Sequence, residues 1–138
     1  MAKKVRDAMT TNPRTVQGST TVVEAARVMR DEDTGIVPIV EGDRLVGVVT
    51  DRDIAIRFVA EGKDPQSRTV GEIASSNLVT IDPDQDLDDA LQLMADYQVR
   101  RLPVCEEDGR LVGILAQADV AEHAKAKKTG EVVERISQ

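Results

Sequence analysis

Three groupings of polar residues in this chain have the types and spacing to do chemistry. Thr50-x-x-Asp53 sets a hydroxyl three residues ahead of a carboxylate, where an apolar stretch gives way to a helical pattern. At that spacing the two groups can close a capping box on the first helical turn. A carboxylate at a strand-to-helix corner can also accept both hydroxyl protons of a sugar diol. The residues alone leave both uses open. Arg100-Arg101 is the second grouping. Paired guanidiniums suit a phosphate because each can donate two parallel hydrogen bonds, although exposed arginines on an acidic protein can also be plain surface charge. Asp119 is the third: it repeats the Asp53 carboxylate, but Ala116 stands where a threonine would complete the motif. An alanine at an N-cap costs about 1 kcal/mol relative to threonine or serine.

Other groupings imitate sites without completing them. Asp82-x-Asp84-x-Asp86 opens like a calcium loop, but Leu87 and Leu93 occupy the positions that need glycine and glutamate. Those aspartates read as turn and cap residues. Cys105 and His123 are the chain's single cysteine and single histidine. That is too few for an expected zinc site within one chain, and Cys105 beside Pro103 reads as core. The expectation is no metal and no catalytic residue. Lys125-Ala126-Lys127-Lys128 reads as a helix end favoured by the macrodipole.

The elements that must carry these residues come in two copies. Arg44-Leu45-Val46-Gly47 recurs as Arg110-Leu111-Val112-Gly113. The offset is 65 from Val5/Val70 through Pro38/Pro103 and 66 from Leu45/Leu111, because the second turn is one residue longer. A tandem repeat of this length is a duplicated structural unit. Each copy opens with a short amphipathic segment, residues 5–9 or 70–74, and a brief extended stretch, 14–16 or 78–81. A helix follows with apolar residues at i, i+3, i+4 and i+7: Val22, Ala25, Ala26, Met29 and then Leu87, Ala90, Leu91, Met94. Thr21 with Glu24, and Asp86 with Asp89, stand at N-cap and N3. Strands at 35–40 and 45–50, and at 101–105 and 110–116, form hairpins through Gly-containing turns. A second helix, 51–60 or 117–127, closes each unit. The order is β-α-β-β-α, twice. The boundaries are domain one at 5–62, a polar linker at 63–69, domain two at 70–127 and a tail at 128–138.

A unit of about 60 residues is marginal alone, so the copies are expected to share a core. The chain has 138 residues with one Phe, one Tyr and no Trp, so the interior must be aliphatic and no aromatic platform exists for stacking bases. Eighteen basic against 25 acidic residues give −7, which argues against nucleic-acid binding. No apolar run is long enough to span a membrane, and the N-terminal residues lack a signal-peptide pattern. The expectation is a cytoplasmic protein.

The order of elements, with the Gly-x-x-Pro-Ile and Leu-Val-Gly-x-x-Thr-x-x-Asp patterns of the first copy and their diverged counterparts in matching order in the second, resembles the CBS (cystathionine-β-synthase) domain. The tandem is similar to a CBS pair, or Bateman module, over residues 5 to about 124. Thr50-Asp51-Arg52-Asp53-Ile54 looks most like the small stand-alone bacterial CBS-pair proteins, including the hypoxic-response type. The resemblance implies an α/β (α+β) fold of two pseudo-twofold units with sheets packed face to face, two clefts, and a homodimer. It also implies a non-catalytic regulatory or sensor role, with a protein partner in trans and no required cofactor. The implied regulatory ligand is an adenosine compound: AMP, ADP, ATP or S-adenosylmethionine. By that resemblance Thr50 and Asp53 meet the ribose, and Arg100 and Arg101 reach the phosphate of a ligand held by the first repeat. Thr15, Val16, Ile36, Val37 and Pro38 would line the adenine, although the ordinary use of the apolar ones is core. Asp119 alone serves a poorer second site. The alternative is a dimerising interaction module whose clefts hold nothing.

Overall fold

The computed structural model describes residues 3–74 and 78–123. The described chain condenses into two compact units that do not follow the order of the sequence. One gathers residues 12–74 and 78 with 105–111; the other gathers 3–11, 79–104 and 112–123.

In the unit built on the first repeat, helix α2 (Val22–Glu32) starts at Thr21, whose hydroxyl accepts from the Glu24 N–H at 3.3 Å. It buries Val22, Ala25, Val28 and Met29 and stops at Asp33, which turns left-handed at φ 51°. Strands β2 (Ile36–Glu41) and β3 (Arg44–Thr50) pair antiparallel, with Ile36 opposite Thr50 and a bulge beyond Ile39. Gly42, at φ +65°, makes the reversal. The extended stretch expected at 14–16 narrows to one bridging residue, Val16, lying parallel to Ile39. Its N–H donates to the Pro38 carbonyl at 3.0 Å and its own carbonyl accepts from Val40 at 2.9 Å. Pro38 thus offers that edge a carbonyl and is not asked for the N–H it lacks.

The helix expected over 51–60 differs from a plain α-helix. Helix α3 (Asp51–Ile54) runs directly into a π-turn, Ala55–Val59. Phe58, the one phenylalanine, is fully buried there. Ile56 and Val59 are left exposed at 49% and 68%.

In the unit built on the second repeat, β4 (Arg101–Cys105) and β5 (Leu111–Ala116) form a sheet whose edge is the two-residue strand β1 (Thr10–Thr11). Ile81 bridges in parallel to Val104, as Val16 does to Ile39. Helix α4 (Leu87–Tyr97) buries Leu87, Ala90 and Met94. Asp86 occupies its N-cap position, yet the carboxylate makes no capping bond; the Asp89 N–H turns instead to the Asp86 backbone carbonyl at 3.1 Å. A further helix, α5, begins at 117 and is described to 123. Residues 124–127 of its expected span, and the tail at 128–138, lie outside the described residues.

The opening segment of each repeat packs on the body of the other. Helix α1 (Val5–Ala8) places Val5 in the core with Ile81, Leu87, Leu102 and Leu115. The 3₁₀ turn Val70–Glu72 places Val70 in the core with Val16, Val22, Val37 and Phe58. The hydrogen bonds repeat at matching positions. Val5 N–H donates to Gln85 O and Leu87 N–H to Lys3 O; Val70 N–H donates to Thr20 O and Val22 N–H to Arg68 O. Gly71 meets Gly18 so closely that an added Cβ would lie 2.9 Å from the Gly18 carbonyl oxygen.

Candidate functional site

Each unit carries a strand-to-helix corner: Thr50 and Asp53 stand at the first, Arg100 and Asp119 at the second. At the first, β3 delivers Thr50 as the N-cap of α3 in extended conformation. Its hydroxyl accepts from the Asp53 N–H at 3.1 Å, while Asp53 Oδ2 accepts from the Thr50 N–H at 3.0 Å. The capping box is therefore complete. The carboxylate is held in one orientation at a helix start that favours negative charge, and its side chain is only 18% exposed. Asp53 Oδ1 lies 3.9 Å from Arg57 Nε, and Arg57 Nη1 donates to the Ile73 carbonyl at 3.1 Å. The motif reading did not include Arg57; its signal was the i,i+4 spacing from Asp53.

Ile36, half-buried, lies across the strand pair from Thr50. Val16 and Val37 belong to the core, and Pro38 is buried beside them in β2. Val16's amide and carbonyl are both engaged with β2, and Thr15 beside it is exposed.

At the second corner, the Gln117 N–H donates to the Arg100 carbonyl at 2.7 Å, matching Asp51 N–H to Gly35 carbonyl at 2.9 Å in the first. Arg100 is exposed, while Arg101 and Asp119 are half-buried. Among the described residues, the side chains of Arg100, Arg101 and Asp119 make no hydrogen bond or ion pair. Asp119 thus lacks the backbone bond that fixes Asp53. One difference between the corners has a steric side: a Cβ on Gly35 would lie 2.9 Å from Asp51 Oδ2. The second repeat carries Gln117 in place of Asp51, and there an arginine stands where Gly35 does.

Cys105 is buried, and burial pushes its thiol from the ordinary 9.0 up to about 11. That opposes formation of the thiolate that nucleophilic or metal chemistry needs. Among the described residues no three His, Cys, Asp or Glu side chains gather as metal ligands. No helix among them is long and apolar enough to cross a membrane.

The family profile of the CBS domain matches this sequence twice, at residues 5–59 and 70–126. The chain belongs to the CBS-domain family. It is a tandem CBS pair, with the α+β fold of that pair. CBS domain-containing protein YhcV of Bacillus subtilis is 42% identical over 96% of this chain and 94% of its own length. Hypoxic response protein 1 of Mycobacterium tuberculosis is 42% identical over 86% and 82%. The crystal structure of Hypoxic Response Protein I with two coordinated zinc ions superimposes with a TM-score of 0.81 at 41% identity, over 88% of this chain and 98% of that one. Two ligand complexes are also similar. The CBS domain pair of protein MJ0100, with 5'-methylthioadenosine and S-adenosyl-L-methionine, gives a TM-score of 0.82 at 27% identity over 92% and 99% of the two chains. CBSX2 in complex with AMP gives 0.79 at 28% over 91% and 98%.

Proposed function

We propose that this CBS pair is a non-catalytic regulatory module that binds one adenosine-containing ligand per chain, with Thr50 and Asp53 of the first repeat on its ribose. The observation that carries the reading is the completed capping box, which holds the Asp53 carboxylate before any ligand arrives; such preorganisation lowers the ordering cost of binding. The second corner has Ala116 in place of the hydroxyl and an unsecured Asp119. Arg100 and Arg101 are assigned to the phosphate on the strength of their charge and paired spacing. The domains are taken as 5–62 and 70–127 with 63–69 between them, and the working form as a homodimer read by a separate protein. The ligand-bound CBS pairs supply the class of ligand. Calorimetric titration with AMP, ADP, ATP and S-adenosylmethionine tests this. Saturable binding of at least one is expected, and silence from all four at millimolar concentration overturns it.

A second reading, a zinc-holding CBS pair, draws its support from the zinc-bound relative. Metal analysis of the purified protein separates the two.

A further inference from the structure

The Thr50–Asp53 corner and the segment exchanged from the second repeat meet through one side chain. Arg57 leaves the π-turn with Nε 3.9 Å from Asp53 Oδ1 and Nη1 3.1 Å from the carbonyl oxygen of Ile73. Ile73 closes the segment 68–74, which is seated by Val70 N–H on the Thr20 carbonyl at 2.8 Å and by Gly71 N–H on the Gly18 carbonyl at 3.0 Å. Asp53 Oδ2 is already fixed by the Thr50 N–H, so the guanidinium faces the oxygen that remains. A planar guanidinium with donors on two sides can address a carboxylate and a carbonyl together; an ammonium is a single point charge. In the second repeat the residue four beyond Asp119 is His123, which lacks that fork.

We propose that Arg57 is a positioning residue tying the Asp53 carboxylate to the seat of segment 68–74, so that occupancy of the corner and docking of the segment are coupled. A ligand on Asp53 favours the arrangement in which Arg57 is anchored on Ile73, and by linkage the seated segment favours the ligand. The ligand half of the inference rests on the adenosyl reading above; the tie itself does not.

Amide hydrogen exchange at Val70 tests the tie without ligand, in the full chain, for wild type, Asp53→Ala, Arg57→Gln and the double variant. Urea midpoints accompany each one, so that global destabilisation is recognised. Each single substitution is expected to speed Val70 exchange, and the double variant to exchange no faster than Arg57→Gln alone. No effect of Asp53→Ala, or effects that simply multiply, overturns the tie. AMP is then added. In wild type it should slow Val70 exchange about fivefold or more, the low end of ordinary couplings. In Arg57→Gln calorimetry should show weaker binding and the slowing should vanish. Arg57→Lys should recover part of the affinity without the slowing. AMP binding to wild type that leaves Val70 exchange unchanged overturns the coupling. If AMP does not bind wild type at millimolar concentration, the adenosyl reading and the ligand half fall together, and the ligand-free comparison still decides the tie.

Discussion

At the scale of the residue, Thr50 and Asp53 hold each other through the N-terminal turn of α3. The capping use and the ligand use that the motif left open are compatible, because a carboxylate that accepts one backbone N–H keeps further lone pairs for hydroxyl donors. The two uses separate on substitution. Thr50→Ala removes the cap and should cost about 1 kcal/mol of stability, read as a lower urea midpoint, whereas Thr50→Ser should keep most of it. A Thr50→Ala midpoint equal to wild type would show that the cap does not stabilise the helix. The Thr-x-x-Asp spacing made this pair legible in the sequence. The i,i+4 spacing of Arg57 from Asp53 was there to be read as well, but its second contact is to a backbone carbonyl sixteen residues away, and nothing in side-chain pattern encodes that.

At the scale of the element, hydrophobic period found α2 and α4, and turn chemistry found both hairpins. It did not find the π-turn at Ala55–Val59. Ile54 and Phe58 are four apart, and that spacing keeps two residues on one face whether the turn is α or π. It also did not tell that segments 5–8 and 70–72 would dock on the opposite repeat, since an amphipathic pattern declares an apolar face and not its partner. The docking depends on a close backbone approach. Gly71→Ala should destabilise by about 1 to 3 kcal/mol, because the clash is with the Gly18 carbonyl oxygen at 2.9 Å and no side chain can yield. Gly35→Ala meets the Asp51 carboxylate, which can swing away, and should shift the urea midpoint far less. Equal midpoints for the two variants would contradict this account.

At the scale of the whole molecule, neither repeat builds its compact unit alone. Val5, numbered in the first repeat, has no exposed surface in the core shared with Ile81, Leu87 and Leu115. Val5→Ala should therefore cost about 2 kcal/mol and should speed amide exchange in α4 more than in α2. The reverse order would contradict the exchange of opening segments. The duplication read from the sequence explains why such an exchange can occur twice at matched positions, and the divergence between copies explains why the two corners are not equal. The central claim is that the first corner binds an adenosyl ligand and the second does not. Calorimetric stoichiometry with whichever of AMP, ADP, ATP or S-adenosylmethionine binds tests it most directly, using wild type, Asp53→Ala and Asp119→Ala. One site per chain, lost in Asp53→Ala and kept in Asp119→Ala, is the expected result. Two equivalent sites, or binding that survives Asp53→Ala and disappears in Asp119→Ala, would contradict it.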